Sequence, residues 1–214
     1  MATLTLPVPA TLAAGEIVAT GVSADDFLAQ YAETFHEWVE GVVIKMSPAS
    51  QRHTRLMQYL VQWLNAYFAL NPIGEVFSAP FVMRMDGRFR EPDLQIILND
   101  NSGELTDTAM NGPADICIEI VSPESVERDY GAKFNEYEKA GVREYWIIDP
   151  IRLRCDFNRL NQTSVYAEIN VDDTGHYRTP LLPHLALHVP TLWQDELPDF
   201  FAIGQAVQAM FEAE

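Results

Sequence analysis

Residues 114–123 read Ala-Asp-Ile-Cys-Ile-Glu-Ile-Val-Ser-Pro, and residues 140–150 read Ala-Gly-Val-Arg-Glu-Tyr-Trp-Ile-Ile-Asp-Pro. The run Ala114 to Val121 is apolar on both faces apart from Asp115 and Glu119, the pattern of a strand covered on both sides. Ser122-Pro123 ends it. Residues 125–140 read as a helix stopped by Gly141, where a left-handed residue is favoured. Val142 to Ile148 is a second strand, closed by Asp149-Pro150. A buried strand, a helix and another strand in succession predict an α/β domain.

Upstream, Leu56, Tyr59, Leu60, Trp63, Leu64, Tyr67 and Phe68 recur at helical spacing, with Ser50 or Thr54 as cap and Asn71-Pro72 as stop. Val76–Met85 and Phe89–Leu98 read as strands joined by a hairpin at Asp86-Gly87. Glu37–Met46 reads as one strand interrupted by Gly41, and Ser23 with Asp26 opens a short helix through about Thr34. Residues 99–113 read as a polar loop. Downstream, 151–160, 165–171 and 185–191 read as strands and 203–213 as a final helix. Residues 1–22, with two prolines and no period, are expected to form an extended arm, and 23–214 a single domain.

Composition narrows the function. Hydrophobic residues are 48% and charged residues 21% of 214, so wholesale disorder is excluded. Two cysteines without a CxxC pair exclude zinc-finger and disulfide-scaffold classes and fit a reducing compartment. No apolar run is long enough for a membrane span, and the first basic residue is Lys45, so a cytoplasmic protein is expected. The net charge of −17, with three lysines, makes a poor non-specific nucleic-acid binder unless charge is segregated. It is partly segregated: residues 51–98 carry five arginines (Arg52, Arg55, Arg84, Arg88, Arg90) against four acids. No GxGxxG, Walker, GxSxG or HExxH pattern is present.

Three charged side chains stand out. Asp93 follows Pro92 at the entrance to a strand, and Glu119 lies inside a buried one, sharing a face with Cys117 and Val121. An ionised carboxylate there is costly unless it is paired or bound to a cation. Two acids on neighbouring strands suit Mg2+, which takes one or two carboxylates plus water. Pairing of each acid with an arginine is the structural alternative. Lys133 shares a helical face with Asp129 and Tyr137, which a plain surface ion pair would also explain. Gly131 in mid-helix suggests a close approach to something. Glu37, at a strand start, and His53, at a helix start, are weaker candidates; a lone histidine there is usually solvated or packed.

Glu91-Pro92-Asp93-Leu94, Ile118 to Pro123, Asp129, Lys133 and Tyr137, and Ala140 to Pro150 together resemble the Uma-two family of putative restriction endonucleases. Glu37, Gly41, Met46 to Ser50 and His53 resemble its N-terminal pattern, and the likeness spans about 24–195. The resemblance implies the PD-(D/E)xK restriction-endonuclease-like fold, a mixed β-sheet flanked by helices. It implies Asp93 and Glu119 as metal ligands, with Glu37 as an acid that can complete the site. It also implies Mg2+, with Mn2+ able to substitute, and hydrolysis of phosphodiester bonds of nucleic acid, DNA being the expected substrate. Val121 stands where the superfamily's lysine would, and Lys133 is then implied to replace it. Phosphate contacts would fall to Arg84, Arg88 and Arg90, with Arg52 and Arg55 beside them. A homodimer is also implied. The acidic charge favours a second reading, a weak or inactive nuclease-fold protein that acts as a regulatory protein-interaction module.

Overall fold

Which strands the chain folds together decides whether the conspicuous acids meet. The computed structural model describes residues 16–32, 34, 36–45 and 49–212. In chain order the strands are β1 (Glu16–Thr20), β2 (His36–Val39), β3 (Val42–Lys45), β4 (Gly74–Ser78), β5 (Val82–Met85), β6 (Arg88–Arg90), β7 (Leu94–Leu98) and β8 (Glu104–Leu105). They continue with β9 (Ala109–Asn111), β10 (Ile116–Ile120), β11 (Glu144–Asp149), β12 (Arg154–Leu160), β13 (Tyr166–Ile169), β14 (His176–Arg178) and β15 (Ala186–His188). The helices are α1 (Ala24–Gln30), α2 (Gln51–Leu70), α3 (Lys133–Ala140) and α4 (Phe200–Glu212). A π-helical turn, Arg128–Ala132, leads into α3, and a 3-10 turn spans Val189–Trp193.

The strands form a six-stranded sheet in the order β13-β12-β11-β10-β7-β4, a seven-stranded sheet β1-β3-β2-β6-β5-β9-β8, and the pair β14-β15. In the six-stranded sheet β10 and β11 run parallel and all other neighbours antiparallel, so the sheet is mixed. Its two faces are both buried, as the apolar run of β10 requires. Ile116, Ile118 and Ile120 pack with the α2 stripe Leu56, Leu60, Trp63, Leu64 and Tyr67 and with Ile203 and Val207 of α4. Cys117 and Val121 point to the other side, with Tyr137 of α3, Met83 and Met85 of β5 and Met110 of β9. The period of two therefore delivers Glu119 to the α3 side.

Local signals explain most boundaries. Ser50 caps α2, its hydroxyl accepting from the His53 N–H at 3.1 Å. Gly141, at φ +91°, ends α3. Asp86-Gly87 turns β5 into β6, as expected.

Several expectations need revision. The single strand over 37–46 is a hairpin, β2-β3, turned by Glu40 and Gly41 at φ +48° and +88°. The two long runs flanking Asp86-Gly87 are each two strands, broken at Pro80 and Pro92. Proline cannot donate to a ladder, and the chain changes sheets there: β4 and β7 belong to one sheet, β5 and β6 to the other. Residues 99–113 hold β8 and β9 rather than loop alone. Of the expected arm, residues 1–15 lie outside the described ones, while Glu16–Thr20 is a strand paired with β3. Gly131 meets no close neighbour, since a side chain there would have nothing within 4 Å; it lies in the π-helical turn instead.

Candidate active site

Asp93 and Glu119 are brought together by strand register. Antiparallel pairing of β7 with β10 sets Ile96 opposite Ile116, Gln95 opposite Cys117 and Leu94 opposite Ile118. Just past that ladder Asp93 precedes Leu94 and Glu119 follows Ile118, and Asp93 Oδ2 accepts from the N–H of Ile120, the residue after Glu119. Both carboxylates thus stand at one end of the six-stranded sheet, where Pro92 halts the ladder.

Lys133 comes to them from the far side. The Ser122-Pro123 stop and the Ser125 turn carry the chain out of β10, and the π-helical turn swings it back so that α3 begins over the sheet. There the ammonium is buried, with Nζ 2.8 Å from Glu119 Oε1, 3.4 Å from Glu37 Oε1 and 3.6 Å from Asp129 Oδ1. Tyr137, one turn on, donates its hydroxyl to the same Glu119 Oε1 at 2.8 Å. The lysine is therefore no surface partner of Asp129. Burial opposes its charge, but Glu119, Glu37 and Asp129 raise its pKa above the ordinary lysine value.

Glu119 is strained electrostatically. Burial pushes its carboxyl up, to about 8, against the lowering pull of Lys133, and the charges of Asp93, Asp129 and Glu37 add to the rise. Asp93 is the more open of the pair, with 19% of its side chain exposed against 4% for Glu119. Its Oδ2 accepts from the Ile120 N–H at 2.7 Å and lies 3.0 Å from His53 Nε2.

Glu37 is placed differently from the two acids. It is fully buried, with Oε2 accepting from Arg90 Nη1 at 2.6 Å and Oε1 facing Lys133. Burial alone would raise its pKa, but Lys133, Arg90 and Arg128 hold it down at about 2. Among the described residues no three His, Cys, Asp or Glu side chains gather to hold a metal ion. Glu37 reaches the site through Lys133, which its Oε1 faces at 3.4 Å. The two remaining carboxylates still fit a hard cation. Each engages one oxygen in hydrogen bonds, Oδ2 in Asp93 and Oε1 in Glu119, and their mutual repulsion is what a dication relieves.

The five arginines expected to meet phosphate divide. Arg90 is wholly buried between Glu37 and Glu136, so its guanidinium has no face for a ligand. Arg88 pairs with Glu40 at 2.8 Å and Glu136 at 3.2 Å. Arg52 donates to the Leu192 and Gln194 carbonyls, tying α2 to the 3-10 turn. Arg55 is exposed and Arg84 half-buried, its guanidinium 5.7 Å from the Phe89 ring centre; neither forms an ion pair among the described residues.

Sequence reasoning named Glu91 in a motif without giving it a role and left out Arg128; both are buried. The local signal for Glu91 is a charge next to Pro92, and for Arg128 a charge beside Asp129, neither of which reveals burial. It also undervalued His53, whose ring is buried against Asp93.

No helix among the described residues is long and apolar enough to cross a membrane. Among curated proteins none matches the chain. A solved structure described as a putative nuclease belonging to DUF820 from Anabaena variabilis ATCC 29413 is similar in fold, with a TM-score of 0.66 and 20% identity. The match covers 80% of this chain and 97% of that one. Residues 24–190 match the family Uma2, described as "Putative restriction endonuclease". With the acids at the sheet end and most of its length matched, the chain belongs to the Uma2 family.

Proposed function

We propose that this protein is a Mg2+-dependent nuclease that hydrolyses phosphodiester bonds, with DNA as its substrate. The observation that carries the reading is the convergence of two acids on neighbouring strand ends with a buried ammonium 2.8 Å from one of them. A structural ion pair accounts for Lys133 and Glu119 but gives no reason for Asp93 to stand beside them, solvent-accessible and raising the pKa of Glu119.

Asp93 and Glu119 would hold the cation, which supplies a bound water of lowered pKa and neutralises charge on the phosphoryl oxygens. Tyr137 and Lys133 fix Glu119 through the same oxygen, leaving the other for the cation. Glu37, anchored by Arg90, is a second carboxylate holding the ammonium in place. Lys133 thereby presents a preorganised positive charge where negative charge develops during hydrolysis. The exposed edge of Asp93 is the side from which a phosphate can approach.

The test is cleavage of plasmid and single-stranded DNA at low salt with Mg2+ or Mn2+, beside calorimetric titration of Mn2+. Wild type is expected to bind the ion and cleave; Asp93→Ala and Glu119→Gln to do neither; Lys133→Met to bind and not cleave. Cleavage that persists in Asp93→Ala, or no Mn2+ heat in wild type, overturns the reading. A silent protein would instead fit the interaction-module reading that the charge of −17 favours.

A further inference from the structure

His53 lies in the first turn of α2, where the Ser50 cap accepts its backbone N–H. Its ring is buried, at 9% exposure, and Nε2 is 3.0 Å from Asp93 Oδ2. A carboxylate only accepts hydrogen bonds, so Nε2 carries the hydrogen in this contact. Among the described residues Nδ1 is buried without a hydrogen-bond partner, so within them the ring's polar engagement is with Asp93. The same Oδ2 accepts from the Ile120 N–H at 2.7 Å. Donors from two separate elements, the start of α2 and the end of β10, therefore converge on one oxygen of Asp93. That pair of contacts fixes the carboxylate's rotation, and Oδ1 makes no hydrogen bond among the described residues.

We propose that His53 is a positioning residue for divalent-cation binding: by clamping Oδ2 of Asp93 together with the Ile120 N–H, it holds Oδ1 ready for the ion shared with Glu119. The inference rests on the metal-dependent reading above and adds a residue to it. A carboxylate that swings freely must be ordered when the ion binds, and that cost appears in affinity. Outer partners that orient ligands in this way are worth about 10–100-fold in metal affinity. A histidine that merely fills space would show its loss in folding stability and not in affinity.

The experiment is calorimetric titration of Mn2+ into the wild-type chain, His53→Ala and His53→Gln, with thermal unfolding of each recorded in parallel. Glutamine places an amide N–H near the position of Nε2 and so tests the hydrogen bond apart from the ring. The expected result is a Kd raised about 10–100-fold in His53→Ala and brought back to within about threefold of wild type in His53→Gln. Wild-type binding with unchanged affinity in folded His53→Ala overturns the inference and leaves the metal reading standing. Equal weakening in both variants also overturns it, because the donor would then not be what matters. If His53→Ala does not fold, His53→Gln decides: near-wild-type affinity supports the clamp and a loss beyond about tenfold refutes it. No Mn2+ heat from wild type removes the metal reading and this inference with it.

Discussion

Glu91, two residues before Asp93, is 5% exposed, and its Oε1 has no hydrogen-bond partner. Burial first, and then the charge of Glu37, pushes its carboxyl up from 4.5 to about 8, with Lys133 opposing. Between those values the folded protein keeps a proton that the unfolded chain has released. Stability therefore falls as pH rises through this window, by up to about 1.4 kcal/mol per pH unit for one proton. Thermal unfolding of wild type from about pH 5 to about pH 8 should show the midpoint descending, and Glu91→Gln should lessen that descent by one proton's share while Glu119, also pushed up to about 8, keeps the rest. An equal descent in both proteins would assign the proton elsewhere. At this scale the sequence was informative about which residues are unusual: Glu119 inside an apolar strand and Asp93 after a proline were conspicuous. It was silent on their neighbours. Whether Lys133 faced water or Glu119 depended on how α3 lies over the sheet, and the spacing Asp129-Lys133 fits either.

Arg90 is the element-scale counterpart. It closes β6, receives Glu37 from β2, and meets Glu136 of α3 through Nε at 2.9 Å and Nη2 at 2.8 Å. One buried guanidinium thus ties the seven-stranded sheet to the helix that bears Lys133. Removing one member of a buried ion pair typically costs about 3–5 kcal/mol, because the other charge stays behind. Arg90→Met is expected to lose that much in urea unfolding, and Arg90→Met with Glu37→Gln to recover part of it. A loss below about 1 kcal/mol would show that Glu37 finds another partner. Elements themselves were legible where local chemistry dictates them: the α2 stripe, the Ser50 cap, the Asp86-Gly87 turn and the Gly141 stop. The sheet change at Pro80 and Pro92 was not. A proline marks where a ladder ends, yet nothing local says which sheet receives the next strand.

For the whole molecule, the net charge of −17 sets how nucleic acid can be bound. Arg52, Arg88 and Arg90 are engaged with carbonyls or carboxylates, which leaves Arg55 and Arg84 of the five arginines without such partners among the described residues. With about two phosphates neutralised, DNA affinity should fall with salt at a log–log slope of only about −2. Binding of labelled duplex by Asp93→Ala over a salt series measures it, and Arg55→Ala or Arg84→Ala should each reduce the slope by about one. A much steeper slope would require a basic surface beyond these residues.

By itself, the order of residues determined an α/β chain, its buried central strand, the long amphipathic helix, and the presence of carboxylates too costly to leave unpartnered. These follow from periodicity, turn chemistry and the desolvation of charge, which act within a few residues. Tertiary structure decided that Asp93 and Glu119 stand side by side, that Lys133 is buried against them, that Glu37 is held by Arg90, and that His53 reaches Asp93. Those contacts join groups far apart in the chain, and they exist only once sheet register and the seating of α2 and α3 are fixed.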